Sequence, residues 1–406
     1  MKNYVIIVGG GILTMPAYQI AREELGLGII AFDQDPQTPG MQYADHAVEV
    51  STKDAQGAAK SALKIAKQLP IIGVFTCGAD VEVTVATIAE ALRLPGISID
   101  VAKRCNDKVL MHRHLDAVGF TDKPRYSITH SFDEALAAAL AIGFPCVIKP
   151  VDNCASRGVQ CIDNPNDLLP AFELAASFNI NQNLGVLIEQ CLIGTKHTVE
   201  MITYDNQWHL LSIIDTHYIS ARWPCEIGLN TTQMPSREQK RLFDFAVAAA
   251  KAIGINYGAH KVDVSRDHSG NIGLIELTAR LSGGFHCQYA SPLAHGSHDI
   301  RAALKLAVGQ PLDFEDIRHQ WERGAAVRAL FPEPGRVISI SGDDRARLMP
   351  GIKDIFIWTT EGNVVGPYRN SADRCAFVIA EGASPDEAIA NAKSAASIIT
   401  IKTEKI

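Results

Sequence analysis

The first hundred residues alternate short apolar runs with helical segments, and this alternation restricts the fold more than any other feature of the sequence. "YVIIVGG" and "GIIAFD" are apolar runs ending in a turn or an acid, as strands buried on both faces of a parallel sheet do. Between them "TMPAYQIAREELG" has helical spacing and closes at Gly26, a natural C-cap. "KDAQGAAKSALKIAKQL" predicts a second helix, "IIGVFTCG" a third strand and "DVEVTVATIAEALRL" a third helix. A βαβαβα order implies a parallel sheet with right-handed crossovers.

From about Asn106 the pattern changes. A helix carrying Lys108 leads through "GFTDKPRYSI" to the helix "FDEALAAALAIG" and the apolar run "FPCVIKP". "GVLIEQCLIGTKHTVEMITYDNQWHLLSII" predicts strands with a turn at Asp205-Asn206. The long helix "SREQKRLFDFAVAAAKAIG" precedes a strand–turn–strand unit centred on Ser269-Gly270. After Arg323, short strands and the helix "SPDEAIANAKSAASII" predict a small α+β domain. A chain of 406 residues is too long for one typical core, so two or three domains are expected.

The net charge of −7 argues against a sequence-blind nucleic-acid binder, which needs a basic face. No apolar run approaches membrane-spanning length. "MKNYVIIVGGGIL" superficially resembles a signal peptide, but reads better as a first strand entering a glycine turn. Nine cysteines, irregularly spaced and without a CxxC pair, form no disulfide framework. The expected location is the cytoplasm, with reduced thiols.

Three stretches invite chemistry. Gly9-Gly10-Gly11 with Asp33 imitates a dinucleotide fingerprint. Thr14 stands at the third glycine position, however, and Pro16 in the first helical turn, which favours a plain tight turn. In "FPCVIKPVDNCASRGVQ", an apolar run ends in Lys149-Pro150 and enters a loop of small and polar residues. A lysine before an amide-rich loop suits a phosphate, although an ordinary hairpin looks the same. In "HKVDVSRDHSGNIGLIELTAR", Asp263 and Glu276 lie on successive strands thirteen positions apart, with the Gly270 turn between. Across a hairpin they can stand side by side, and two such carboxylates repel unless a cation lies between them. Hard oxygen ligands favour Mg²⁺. Arg280, four residues on, offers a planar fork to phosphate oxygens.

Lys108, Lys149, the loop after it, Glu189 with its following turn, Asp263, Glu276 and Arg280 occur in that order. Together they resemble the ATP-grasp superfamily over most of the chain. The resemblance implies a Rossmann-like N-terminal domain (1–106), a split ATP-binding module (107–323) and a small C-terminal α+β domain (324–406). Within the module, residues of about 124–190 would form a mobile lid. By the same resemblance, Lys108 and Lys149 contact nucleotide phosphates, and the loop Asp152 to Gly158, with Ser156, Arg157 and Gly158, closes over them. Glu189 to Leu192 resembles the adenine-binding hinge. His197 matches a position that faces nucleotide in some relatives, or is a structural histidine. Asp263 and Glu276 match ligands for Mg²⁺, with Mn²⁺ as an alternative, and Arg280 matches an arginine that steadies an acyl-phosphate. Two residues depart from the pattern: Ala155, where relatives usually have glycine, and Thr278, where they often have asparagine.

"IELTARLSGG" and the stretch from Pro334 to Val365 most resemble the L-amino-acid ligase group. That implies an ATP-dependent carboxylate–amine ligase with small-molecule carboxylate and amine substrates, no nucleic acid or membrane partner, and a homodimer through the N-terminal domain as in relatives. The other readings are a carbamoyl-phosphate-synthase-like enzyme, a purine-pathway carboxylase or formyltransferase, and an ATP-binding protein without turnover. In the loop "DTHYISARWPCEIGLNTTQMPS", Arg222 suits a substrate carboxylate and Trp223 a side-chain wall, unless the loop is plain surface. "HGSH" (295–298) lacks recognisable further metal ligands, and "FHCQ" (285–288) suits packing or a substrate wall.

Overall fold

The computed structural model describes residues 2–406. Strands β1 (Tyr4–Val8), β2 (Gly28–Asp33), β3 (His46–Glu49) and β4 (Ile71–Phe75) form a parallel sheet in the order β3-β2-β1-β4. Val5, Ile7, Ile29 and Ala31 enter one core, whereas Ile6, Val8, Ile30 and Phe32 enter another. Burial on both faces explains why β1 and β2 read as continuous apolar runs. The edge strand β3, "HAVE", has no such run and escapes a sequence pattern.

The glycine turn after β1 is closed. Gly9 has φ 96°, the Gly10 N–H donates to Asp33 Oδ2 at 2.7 Å, and Gly40 N–H donates to the Gly10 carbonyl at 2.8 Å. A Cβ on Gly10 would lie 2.2 Å from Thr38 Oγ1. Asp33 thus completes a tight turn.

The second sheet contains β5 (Tyr126–Thr129), β6 (Cys146–Pro150), β7 (Gln160–Ile162) and β8 (Val186–Gln190), antiparallel in the order β5-β8-β6-β7. Helices Phe132–Ile142 and Leu168–Phe178 pack on it around Ile148, Ile162, Ile188, Ala139 and Ala171.

The remaining strands are β9 (Thr195–Tyr204), β10 (Gln207–Tyr218), β11 (Glu226–Thr231), β12 (Gly258–Arg266), β13 (Ile272–Thr278), β14 (Gly324–Leu330), β15 (Gly335–Ser341), β16 (Ile352–Ile357), β17 (Val364–Val365), β18 (Ala376–Gly382) and β19 (Thr400–Glu404). Eight of them make a central antiparallel sheet, β13-β12-β9-β10-β11-β14-β18-β16, and β17-β15-β19 form a small one. Residues Asp205 and Asn206, both at positive φ, make the β9–β10 turn, as a two-residue hairpin demands. Gly270 N–H closes the β12–β13 turn on Asp267. Because β11 pairs with β14, strands β14, β18 and β16 extend the same sheet that carries Asp263 and Glu276.

Helix Ser236–Ile253 covers this sheet with Leu242, Ala246, Ala249 and Ile253 against Val199, Val262 and Leu277. The N-terminal sheet docks through Phe75 and Ile7, which share a core with Ile202 and Leu281. Among the described residues, no helix is long and apolar enough to cross a membrane.

Candidate functional site

Lys149 and Glu189 meet because of strand register. Val147 on β6 stands opposite Glu189 on β8, and Lys149, two residues along β6, lies on the same face. Lys149 Nζ is 2.7 Å from Glu189 Oε2, and His112 Nε2 is 2.7 Å from Oε1. His112 comes from helix Lys108–Ala117 and stacks on Tyr126 at 4.3 Å. Burial pushes the Glu189 carboxyl up, but Lys149 and His112 outweigh it and hold the group at about 2. All three side chains are buried.

The second cluster lies on β12 and β13, where Asp263 and Glu276 stand directly opposite one another. Cations already serve both acids: Lys261, two residues before Asp263, forms an ion pair with Asp263 and, together with Lys108, holds Glu276 low. Lys108 Nζ is 3.4 Å from Glu276 Oε1 and donates to the Asn153 carbonyl at 2.9 Å. Burial alone would raise the Glu276 carboxyl; the two lysines keep it below its ordinary value. Thr198 Oγ1 donates to Asp263 Oδ1 at 2.7 Å. Thr278, opposite Lys261 and two residues after Glu276, has a buried hydroxyl with no hydrogen-bond partner among the described residues. Two facing carboxylates and an orphaned hydroxyl form an all-oxygen donor set that fits Mg²⁺.

Arg280 leaves β13 toward the N-terminal domain. Its Nε donates to Asp80 Oδ1 at 3.1 Å, its Nη1 to the Leu281 carbonyl at 3.0 Å, and Glu82 Oε1 lies 3.5 Å from Nε. Burial and the adjacent Asp80 push the Glu82 carboxyl up to about 7 even though Arg280 opposes this. Asp80 is held well below its ordinary range by the guanidinium, against its own burial. The fork of Arg280 therefore faces two acids in this structure.

The loop after β6 is pinned at its base. Asp152 accepts from the N–H groups of Ile180 and Asn181, and Asn153 donates to the Phe178 carbonyl. Its tip carries Ala155 and Ser156, both at φ 57°, then Arg157 and Gly158 (φ 73°). A Cβ on Gly158 would meet Phe178 at 2.9 Å. The Leu192 carbonyl accepts from Lys196 Nζ and Ser265 Oγ. Both ring nitrogens of His197 are engaged, by Asp215 Oδ1 and Thr195 Oγ1, each at 2.7 Å, which suits a structural histidine. Arg222 pairs with Asp167 at 3.1 Å and flanks Trp223, with Arg369 also over the indole. In the 295–298 stretch, His295 stacks on His319 at 4.1 Å and 12°. Glu322 lies 3.0 Å from His295 Nδ1 and 2.8 Å from His319 Nδ1, so the further donor atoms near His295 come from His319 and Glu322, outside the 295–298 stretch, all within 4.8 Å of one another. Phe285, His286 and Cys287 are buried, in keeping with packing.

Sequence reasoning passed over His112, Lys261, Asp80 and Glu82. The first two carried a signal: His112 is four residues from Lys108 on one helix, and Lys261 alternates with Asp263 on one strand. Asp80 and Glu82 had none, being two hundred residues from Arg280 in sequence.

Comparisons with known proteins bear on the domains that carry these residues. Residues 142–288 match an ATP-grasp domain, and residues 328–404 match the L-amino acid ligase C-terminal domain 2. The structure superimposes on the L-amino acid ligase of Bacillus licheniformis with a TM-score of 0.83 at 20% identity, covering 100% of this chain and 99% of that one. It also superimposes on the biotin carboxylase domain of Hydrogenobacter thermophilus 2-oxoglutarate carboxylase, solved with MgADP, ADP and bicarbonate (TM-score 0.71, 18% identity, 98% and 90% covered). In sequence, it is 24% identical over 406 residues to the formate-dependent phosphoribosylglycinamide formyltransferase of Burkholderia thailandensis, covering 97% and 94% of the two chains. Residues 142–288 thus match an ATP-grasp domain, and the chain as a whole has the multidomain α/β architecture of that fold. Its C-terminal match and its structural likeness are to the L-amino-acid ligase group, whose members are ligases.

Proposed function

We propose that this protein is an ATP-dependent ligase that activates an amino-acid carboxylate as an acyl-phosphate and joins it to an amine. The carboxylate oxygen attacks the γ-phosphorus and the bond to ADP breaks; the amine nitrogen then attacks the acyl carbon and phosphate leaves. Lys149 and Lys108 supply fixed positive charge for the nucleotide phosphates, and the Asp152–Gly158 loop covers them. The segment from Glu189 to Leu192 receives adenine. Asp263 and Glu276 would hold Mg²⁺, with the Thr278 hydroxyl beside them; when bound, the ion supplies charge stabilisation to the transferring phosphoryl group. Arg280 turns from Asp80 toward the acyl-phosphate when substrates bind. Arg222 and Trp223, at the lid edge, would meet a substrate's carboxylate and side chain.

The observation that carries this reading is the juxtaposition of Asp263 and Glu276 in register, with Lys108 and Lys261 beside them. Such a set binds a phosphate-bearing, metal-assisted substrate without needing a side-chain nucleophile. The test is a phosphate-release screen of amino-acid pairs with Mg-ATP, followed by mass spectrometry of the products. A dipeptide with stoichiometric ADP is the expected result. ADP release with bicarbonate or formate in place of an amino acid would move the protein to another ATP-grasp chemistry. ATP binding without release across the whole panel would mark it as non-catalytic.

A further inference from the structure

Six of the nine cysteines are buried, whereas Cys154, Cys161 and Cys191 are half-buried. Two of these three meet: Cys161 Sγ is 3.1 Å from Cys191 Sγ and donates to it. Their location gives the contact a consequence. Cys161 on β7 stands opposite Val147, which also faces Glu189, so Cys161 shares the face that carries Lys149 and Glu189. Cys191 directly follows β8, in the segment through which the chain leaves the lid sheet for β9 of the central sheet. We propose that Cys161 and Cys191 are an oxidisable dithiol, a covalent modification site whose disulfide ties the lid's edge strand to the adenine hinge and weakens nucleotide binding. The inference rests on reading Glu189–Leu192 as that hinge.

The chemistry is thiol–disulfide exchange with a low-molecular-weight disulfide. Cys191 is the better nucleophile: the Cys161 thiol's hydrogen bond, aided by the nearby Lys196 ammonium, lowers its thiol to about 7 despite burial. Donating that hydrogen bond, with burial adding to it, pushes the Cys161 thiol up. The Cys191 thiolate attacks one sulfur of the small disulfide, giving a mixed disulfide and releasing one small thiolate. That thiolate takes the Cys161 proton. Cys161 sulfur then attacks Cys191 sulfur, the Cys161–Cys191 bond forms, and the second small thiolate leaves. Two protein thiols are oxidised and one small disulfide is reduced to two thiols. Closing the sulfurs from 3.1 Å to bonding distance, about 2.05 Å, draws the hinge segment onto the nucleotide-facing side of β7 and removes freedom between lid and central sheet.

The full chain is equilibrated with oxidised glutathione or with dithiothreitol. It is then examined by peptide mapping and by calorimetric titration with Mg-ATP. Oxidised wild type should contain a Cys161–Cys191 peptide crosslink and bind Mg-ATP about tenfold or more weakly, with affinity restored by dithiothreitol. Cys161→Ser should stop at a glutathione adduct on Cys191, and Cys191→Ser should form neither product; each is judged by its own oxidised-to-reduced affinity ratio. Absence of the crosslink overturns the proposal, as does a crosslink that leaves affinity unchanged. An equal affinity loss in the double variant Cys161→Ser/Cys191→Ser overturns it too, by placing the effect at another thiol such as Cys154. If reduced wild type fails to bind Mg-ATP, the nucleotide reading falls and the gating claim with it, while mapping still decides whether the disulfide forms.

Discussion

Glu189 and Glu276 are both strand carboxylates served by lysines, yet the two are held in different ways. Glu189 is 4% exposed, and each oxygen has a partner at 2.7 Å, Lys149 on one side and His112 on the other. Glu276 keeps a third of its side chain exposed, and Lys108 approaches it only to 3.4 Å. A fully paired, dry carboxylate fixes the shape of a wall. A looser, wetter one can exchange its lysines for an incoming cation without a large desolvation penalty. The first cluster is built to position and the second to receive, although their residue types are nearly the same.

The largest effect expected from this contrast is on turnover. Glu276→Gln and Asp263→Asn should each lower ADP release about a hundredfold or more, since metal charge stabilisation is worth several kcal/mol. Their melting temperatures should move little, because Glu276 and Asp263 are partly open to water and the lysines can resolvate. Wild-type ADP release at saturating Mg²⁺ would show that the open cluster does not receive the ion. Arg280→Lys follows. A lysine cannot reproduce a two-pronged contact, and loss of one transition-state donor costs about 2.7–4 kcal/mol, roughly a hundred- to thousandfold in turnover. Single-turnover ADP formation beside a melting curve separates this from a purely structural Arg280–Asp80 pair, which would lower the melting temperature and leave the rate per folded molecule intact.

The closed cluster should respond in stability as well as in nucleotide affinity. Lys149→Met leaves Glu189 buried with His112 alone, and breaking a buried pair costs about 3–5 kcal/mol. Chemical denaturation reads this directly, and Lys149→Met combined with Glu189→Gln should recover part of it. A loss below about 1 kcal/mol would mean that the pair is no tighter than a surface one. The pH dependence has a definite sign. The folded Glu189 carboxyl sits at about 2, below the ordinary value of about 4.3. Its stabilising contribution is therefore complete above pH ~4.3 and is lost as pH falls toward 2. Glu189→Gln should flatten that acid limb; an unchanged limb would assign it to other carboxylates.

Both clusters were partly legible in the sequence, and the reason is local. Lys149, Asp263 and Glu276 sit on strands whose apolar alternation fixes which side they face, and the Gly270 turn sets the register that makes the acids neighbours. The ladder between β11 and β14 had no comparable mark: it joins Gly228 to Arg328 across a hundred residues with no turn to announce it. The same distance hides Asp80 and Glu82 from Arg280. β3 lay hidden for a different reason, since an exposed edge strand needs no apolar run. The Gly9–Gly11 turn looked like a ligand cradle because its glycines and Asp33 serve one another, and a sequence does not show which partner an acid takes.

The smallest effect belongs to the loop that spans the two clusters, through Lys149 at its start and the Lys108–Asn153 contact near it. Ala155 holds φ 57° and is exposed. A left-handed conformation costs a non-glycine residue about 1–2 kcal/mol, whereas glycine adopts it freely. The unfolded chain also gains freedom when alanine becomes glycine, which offsets about 0.4–1 kcal/mol of that relief. Ala155→Gly should therefore stabilise by about 0–1.6 kcal/mol, a shift of a few degrees at most in melting temperature. The hydrogen bond from Ser371 N–H to the Ala155 carbonyl, 2.9 Å, uses backbone alone and survives the change. Because the relief is confined to the loop tip, neither cluster's geometry moves, and Mg-ATP affinity should stay within about threefold. A clear loss of stability would mean that the methyl packs against something or that the loop leaves the left-handed region. A large change in affinity with unchanged stability would instead make the tip's stiffness part of nucleotide binding, and would place Ala155 with the open cluster rather than the closed one.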